Sequence, residues 1–597
     1  MVDVVHLRPD RRRATHTCGC RAGSPQARTA EPSRPTVTTL VEAPAPPAVD
    51  RPRSTPARWR GCLLFGLLTL LYFTVGAVLM LRYNIFEGDG VFRVAGATFA
   101  MTSRDPHLAA IGFVWNPLPT LVEIPILGLS DWWPELRTHG LAGALQSALF
   151  TAGSALMIRR IALDRGVSDL WRRVAVACFA LNPVIIAYGG SGMSEPGMLF
   201  CLLWCTRYLL RWIRSAHVGD LAWAGIALGV GYLVRYEMIV AAAGAAGLVV
   251  VITVIRSEGR ARTNAVVLDG LIVAFPIATA FALWALAGWV VEGHLFSQLS
   301  SQYGNAAQVQ QELAQESGFL HKQWWNIDQR LLGMQPFLGV AVFGAAAHSV
   351  LTRSAEALAP LATFGAVLAF SVWGEYSGTT FGYVRYYVAA IPMVIVIALA
   401  FWRPVSSASQ EKWPKALSSR LGAALTCASL FVAIPVTTVS MLNPVIGNHQ
   451  LLFGISSLFG RSGTATNSLW YRRGFINERL LADYLDRKNL PDGSVLIETF
   501  NTSLLFLSSE NPKQFAVTSD YDFKSRLNRP WELGVKYIVV TQSDNASIDA
   551  INQRYPTLWD DGAGIGELVH SGQSAFGKED FRVYRVLEPI DDEQPPG

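Results

Sequence analysis

Between positions 61 and 441 the sequence repeats one pattern, apolar runs of about 15–25 residues, each closed by a polar or charged turn. A helix of that length crosses a hydrocarbon layer roughly 30 Å thick, and in such a layer a helix satisfies all its own backbone polar groups. The pattern predicts an α-helical polytopic membrane protein with about eleven transmembrane helices. Composition agrees: 16% of the 597 residues are charged, against roughly 25% in soluble domains, and mean hydropathy is +0.28. The net charge of +5 is modest for this length, so no nucleic-acid partner is expected and the placement of charge matters more than its sum.

Residues 1–58 are rich in Pro, Arg, Ala and Thr and show no apolar period, which predicts a disordered basic tail. Eleven arginines up to position 60 face five acids, and by the positive-inside rule the tail is cytoplasmic. The run at 61–81 is long enough to be a retained span rather than a cleaved signal. Further spans follow at 140–158 and 174–188, then one returning to Arg211 and Arg214. Others lie at 221–234, 238–255, 266–291 and 333–351, one ends near Trp373, and the last two are at 388–402 and 421–441. Basic clusters such as Arg159-Arg160, Arg172-Arg173, Arg256, Arg353 and Arg403 fall on alternate loops. The apolar piece 111–129 is broken by prolines and reads as part of a large first outer loop, 82–139. An odd number of spans places 446–597 outside the cytoplasm. There a helical pattern at 477–488 alternates with β-rich runs at 494–499, 515–518, 536–541 and 581–587, predicting a small α/β domain. The scheme is a tail (1–58), a transmembrane module (59–445) and an extracytoplasmic α/β domain (446–597). None of the seven cysteines falls in the segments placed outside, so no disulfide framework is expected there, and the membrane is read as a bacterial plasma (inner) membrane.

No Walker A, HExxH, GxSxG or paired CxxC sequence is present. What remains is charge crowded at the outer ends of spans: Asp89, Arg93, Arg104, Asp105, His107, Glu123, Glu195, Arg235, Glu237, Glu375 and Arg385. Charge beside hydrocarbon is costly, so such groups pair or serve a site. Each also has an ordinary reading. Asp89 between Gly88 and Gly90 is a turn residue, and Ser194-Glu195-Pro196 is a helix start with Ser194 as the cap. Arg235-Tyr236-Glu237 is a self-paired turn, and Arg385 among Tyr383, Tyr386 and Tyr387 is an interfacial anchor.

Taken together, in order and sidedness, Glu87-Gly88-Asp89, Asn182-Pro183 through Tyr188 to Met193-Ser194-Glu195-Pro196, Arg235-Tyr236-Glu237 and Arg385-Tyr386-Tyr387 resemble the GT-C superfamily of integral membrane glycosyltransferases. That superfamily includes protein O-mannosyltransferases and lipid-linked mannosyl- or arabinosyltransferases. The resemblance covers roughly residues 60–440 and implies transfer of a hexosyl or pentosyl unit from a polyprenyl-phosphate donor to an acceptor hydroxyl of a glycan, lipid or protein. It implies Asp89 as general base with Glu87 assisting. Arg93, His107, Glu195, Arg235, Glu237, Tyr383 and Arg385 would hold substrate. It leaves room for a divalent cation, Mg or Mn, and calls for no other cofactor. Two departures stand out: the acids read Glu-Gly-Asp rather than an adjacent pair, and no loop signature fixes the acceptor. Two non-enzymatic readings remain, a transporter or flippase for a lipid-linked glycan and a membrane anchor for the C-terminal domain. The middles of the spans are nearly free of ionisable groups, which a transporter would need.

Overall fold

The computed structural model describes residues 55–259, 261–296, 301, 304, 307, 309, 324–402, 415–443, 446–447, 465–542, 549–573 and 579–588. The tail 1–54, most of the loop 297–323, and Arg403 lie outside these residues, with the expectations attached to them. Among the described residues six helices are long and apolar enough to cross a membrane: Trp59–Tyr83, Leu141–Asp164, Met238–Arg256, Arg262–Glu292, Ala355–Ser377 and Leu417–Met441. Two bent pairs pass the same test as single spans, Asp169–Ala180 with Pro183–Gly189 (63°) and Asn326–Met334 with Leu338–Thr352 (73°). The apolar helices Val218–Tyr232 and Val384–Ala400 are shorter, and Glu195–Ser215 runs 21 residues with Arg207, Arg211 and Arg214 toward its end. These segments follow the predicted order of spans. The fold class is a helical, polytopic membrane protein with a C-terminal α/β region.

The first bend has a local cause. Asn182 caps the second half of its pair, its side chain accepting from Val184 N at 3.0 Å, and Pro183 occupies the first helical position, where its missing N–H costs nothing. Small residues line the centre of the bundle. Ala148, Ala152 and Ala155 of the Leu141–Asp164 helix are fully buried, and a Cβ on Gly153 would stand 2.9 Å from the Phe200 ring. The outer helices instead present Leu63, Leu67, Leu70, Leu268, Leu271 and Phe275 outward, an apolar skin suited to hydrocarbon.

The loop after the first span, helix α1 (Thr55–Tyr83), folds into helix α2 (Gly88–Thr102) and helix α3 (Leu118–Leu127). Ten residues give α3 about 15 Å of length, too short to cross. The turn expected at Gly88-Asp89-Gly90 is instead the first turn of α2, with Glu87 at the N-cap, and neither glycine has a positive φ. Gly90 is required for close approach: a Cβ there would lie 2.6 Å from the Ser191 carbonyl oxygen. On α1, a Cβ at Gly76 would lie 2.1 Å from the Gly190 carbonyl oxygen. The segment 190–192 is thus wedged between α1 and α2, and this seats the start of α2 against the start of the Glu195–Ser215 helix.

The C-terminal region is a five-stranded mixed sheet in the order β2-β1-β3-β5-β4. Strands β1 (Val495–Leu496), β2 (Phe515–Ala516) and β3 (Tyr537–Thr541) run parallel, and β4 (Gly566–Gln573) and β5 (Glu579–Val586) add an antiparallel edge. Three strands fall within the β-rich runs read from the sequence, and β5 overlaps the fourth run, beginning two residues before it. The edge strand β4, GELVHSGQ, was not expected, because two glycines and scattered polar residues hide its period. One apolar core joins this region to the first loop, with Phe86, Val94, Phe99 and Leu136 packed among Leu481, Leu505, Phe506 and Val539. Polar ties reinforce it. Arg104 bridges to Asp520 at 3.0 Å and to Asp522, and Asp105 accepts from Tyr521 N at 3.2 Å.

Candidate functional site

Four separated parts of the chain meet at the end of the bundle that carries the first loop. The first turn of α2 brings Asp89 and Arg93, four residues apart and therefore on one helix face. The start of the Glu195–Ser215 helix brings Ser194 and Glu195, the turn between two spans brings Arg235 and Glu237, and the segment Val384–Tyr387 brings Arg385 and Tyr386. Arg385 Nη1 lies 3.0 Å from Asp89 Oδ2, and its Nε lies 3.6 Å from Glu195 Oε1. Arg235 Nη1 donates to the same Glu195 oxygen at 2.7 Å, and Arg235 Nε donates to Glu237 Oε1 at 3.0 Å. The Arg235-Tyr-Glu237 pairing expected from sequence is present, but it is half of a larger network.

Ser194 departs from its expected role. It stands at the N-cap position, yet its side chain makes no capping bond. Its Oγ accepts instead from Arg93 Nη2 at 3.3 Å and from Arg235 Nη1 at 3.1 Å. Charged donors outcompete a backbone N–H for one hydroxyl. Aromatic faces back the three guanidiniums. Arg93 lies over Trp115 (5.5 Å), Arg235 over Tyr386 (5.6 Å), and Arg385 over Tyr383 (5.0 Å) and Tyr386 (5.4 Å). Between these groups is a cavity of about 60 Å³, lined by Asp89, Arg93, Trp115, Arg235, Glu237 and Arg385 among others. That is space for roughly four waters.

Burial pushes the Asp89 carboxyl up, but the positive charges of Arg385, Arg93 and Arg235, with the hydrogen bond from Arg385, outweigh it and hold the group below the usual carboxylate range. Burial pulls the Arg93 guanidinium down against the opposing pull of Asp89 and Glu123. Arg235 is held up by Glu195 and Glu237 in spite of its burial. Glu123 on α3 is fully buried, and burial raises its carboxyl well above the ordinary value, with Arg93 opposing. Neither of its oxygens has a hydrogen-bond partner. Three cations, Arg93, Arg235 and Arg385, thus face three anions, Asp89, Glu195 and Glu237.

Other predicted residues stand apart from this pocket. Glu87 is the N-cap of α2, where its carbonyl accepts from Gly90 N and Val91 N, and its charge acts on Arg385 and Tyr188. Tyr383 supports Arg385 from one face and stacks on Phe381 at 5.2 Å. His107 lies elsewhere, stacked on Tyr521 at 4.4 Å beside a second, larger cavity. Glu375 is engaged by Arg330 and by the Tyr387 hydroxyl. The sequence reading did not single out Trp115, Asn116 or Phe381 as site residues. Trp115 and Asn116 lie in the proline-broken piece 111–129, whose prolines drew the reading to its backbone rather than to its side chains. The Asn116 amide in fact donates to the Tyr232 carbonyl, tying the first loop to the end of a span.

Among the described residues no three His, Cys, Asp or Glu side chains form a group able to hold a metal ion. The donor set suits a divalent cation poorly, because Asp89, Glu195 and Glu237 are each already engaged by a guanidinium.

No protein-family model matches the chain, and no curated protein matches it. Among solved structures it is similar to ArnT from Cupriavidus metallidurans in the apo state, with 14% identity, 89% of this chain and 98% of that one covered, and a TM-score of 0.46. It is similar to the archaeal oligosaccharyltransferase AglB from Archaeoglobus fulgidus, solved with an inhibitory peptide and a dolichol-phosphate, at 10% identity, 91% and 75% coverage and a TM-score of 0.36. A second structure of an Archaeoglobus fulgidus oligosaccharyltransferase, tethered to an acceptor peptide, gives 11%, 89%, 75% and 0.39. These are loose likenesses of overall layout, and they assign no residue of this chain a role.

Proposed function

We propose that this protein is a GT-C-type glycosyltransferase that moves a sugar from a polyprenyl-phosphate donor to an acceptor hydroxyl on the extracytoplasmic face of a bacterial plasma membrane. The observation that carries the reading is the Arg385–Asp89 contact at 3.0 Å, inside a pocket that also holds Arg93 and Arg235. A carboxylate with guanidiniums at its side is the equipment for deprotonating an alcohol beside a phosphate leaving group.

The step balances as follows. Asp89 takes the proton of the acceptor hydroxyl, and the acceptor oxygen bonds to the anomeric carbon. The bond from that carbon to the phosphate oxygen breaks, its electron pair leaving with the lipid phosphate. Arg385 and Arg235 hold the phosphate oxygens, and Arg93 offers a third guanidinium. The resting charge balance gives the order of events a physical basis. An incoming phosphate competes with Asp89 for Arg385, so binding the donor loosens the contact that keeps Asp89 weakly basic. Glu195 and Glu237 hold Arg235 in place. The poor fit for a divalent cation means that no step here is routed through one.

The test is transfer by purified protein from a panel of polyprenyl-phosphate sugars, with wild type beside Asp89→Asn. Transfer by wild type and its loss in the variant is the expected result. Retained turnover in Asp89→Asn removes Asp89 from the role of base. Absence of transfer from every lipid donor overturns the transferase reading.

A further inference from the structure

A second cavity of about 860 Å³ lies between the first loop and the C-terminal region, and the chemistry above does not use it. One wall is the first loop, with Phe92, Gly96, Phe99, His107 and Phe113. The other is the C-terminal region, with Glu498, Thr499, Phe500, Ser503, Thr518, Ser519, Tyr521 and Lys524. Aromatic rings meet across the gap. Phe92 stacks on Phe500 with centroids 5.6 Å apart and planes 21° apart, and His107 stacks on Tyr521 at 4.4 Å and 21°. Tyr521 is nevertheless 75% exposed, so most of its surface is open to a ligand.

Geometry ties this cavity to the charged pocket. Val114 and Trp115 line both. On α2, Asp89 and Phe92 are three residues apart and so neighbours along the helix surface, one lining the small cavity and the other the large. The helix is thin at this point because Gly96 has no side chain. A Cβ there would stand 3.2 Å from the Ile111 carbonyl oxygen, so the glycine lets residues 108–111 close down and form the cavity's flank.

We propose that this cavity binds the acceptor and that the acceptor is a saccharide chain. Resting on the transferase reading above, the proposal adds the acceptor class, which that reading leaves open. The size is in the range that encloses a ligand of several rings. The lining pairs flat aromatic faces, which match the C–H faces of sugar rings, with hydroxyls of Thr499, Ser503, Thr518 and Ser519 and the carboxylate of Glu498, which match sugar hydroxyls. A lipid tail would require a wholly apolar groove. An anionic acceptor would meet the carboxylates of Glu292, Glu498 and Asp520 against the one lysine, Lys524. A saccharide laid along Phe92 and Phe500 would bring a terminal hydroxyl past Trp115 toward Asp89.

The experiment measures binding rather than turnover. Purified full-length protein is titrated with neutral oligosaccharides of about six residues, namely an α-mannan, an arabinan, a galactan and a β-glucan. Saturation-transfer NMR serves as readout, with a neutral hexapeptide as control. At least one saccharide is expected to bind saturably, with affinity reduced tenfold or more by Tyr521→Ala and by Phe500→Ala and restored by Phe500→Trp. The exposed position of Tyr521 makes its variant safe for folding. Failure of all four saccharides to bind, binding indifferent to both aromatic variants, or saturable binding of the peptide alone each overturns the proposal. Saccharide binding that depends on Tyr521, with no transfer from any lipid donor, would sink the transferase reading and leave this cavity's assignment standing.

Discussion

The two ends of the bundle both bury arginines beside carboxylates, and they do so differently. At the end opposite the first loop, Arg165 is 1% exposed and fully engaged: Nε and Nη2 donate to the Trp402 carbonyl at 3.0 and 2.6 Å, Nη2 also to the Ala400 carbonyl, and Nη1 to Glu356. Arg207 pairs with Asp164 at 2.7 Å and Arg211 with Asp220 at 3.0 Å. None of these side chains is among the described ones that keep a buried polar atom without a partner. At the loop end, Arg93 Nε and Nη1, Glu195 Oε2, Glu237 Oε2, Arg385 Nε and both Glu123 oxygens make no hydrogen bond, Arg385 Nε reaching Glu195 only at 3.6 Å. Saturated ion pairs clamp helix ends together. An unsaturated cluster around a cavity keeps hydrogen-bonding capacity in reserve for something that arrives.

The largest effect that would break this contrast is chemical. Asp89→Asn should lower kcat/KM for transfer about 10²–10⁴-fold while the protein elutes and melts as wild type does. Equal losses of fold and activity would make the loop-end cluster structural after all. At the other end the expectation reverses. Arg165→Ala should cost about 3–5 kcal/mol, because it strips the buried Ala400 and Trp402 carbonyls of their donor and leaves Glu356 only the Arg214 contact at 3.6 Å, and should show as a large drop in Tm. Its effect on transfer per folded molecule should be small.

Glu123→Gln sharpens the comparison further. Neither Glu123 oxygen makes a hydrogen bond that the amide would lose, so the amide should change stability by about 1 kcal/mol or less. A drop in transfer of more than tenfold would instead show that its charge acts on Arg93. The smallest effect concerns Glu478, in the C-terminal region, where burial raises the carboxyl to about 8. The unfolded chain ionises near the ordinary value of 4.5, so between these values the folded state holds an extra proton. Stability should therefore be greatest below pH 4.5 for this group and fall as pH rises to 8. Glu478→Gln should flatten that part of the Tm–pH curve.

Spans were legible because membrane crossing writes itself in length and polarity: α1 and the Arg262–Glu292 helix are apolar on nearly every side. Less was legible where backbone contact, not hydrophobicity, decides. Gly90 reads as part of a turn, but its job, with Gly76, is to let residues 190–192 lie between α1 and α2. The charged residues were visible one at a time, and each had an ordinary explanation. What the sequence could not display was that Glu195 Oε1 is shared by Arg235 and Arg385, a fact of three-dimensional convergence across 190 positions. Trp115 left a weaker trace still, since nothing in its neighbours Val114 and Asn116 marks it as facing a charged pocket.

The bridge from Arg104 to Asp520 joins residues 416 positions apart. At elongation rates of about 5–20 residues per second, the loop waits roughly 20–80 s after synthesis for its partner to leave the ribosome. During that interval Phe99 and Leu136 lack the part of their cover that Phe506 and its neighbours later supply. Newly made chains should therefore be most vulnerable to proteases and to one another at this loop, and slowing translation of the last hundred codons should lower the yield of folded protein more than slowing any earlier stretch.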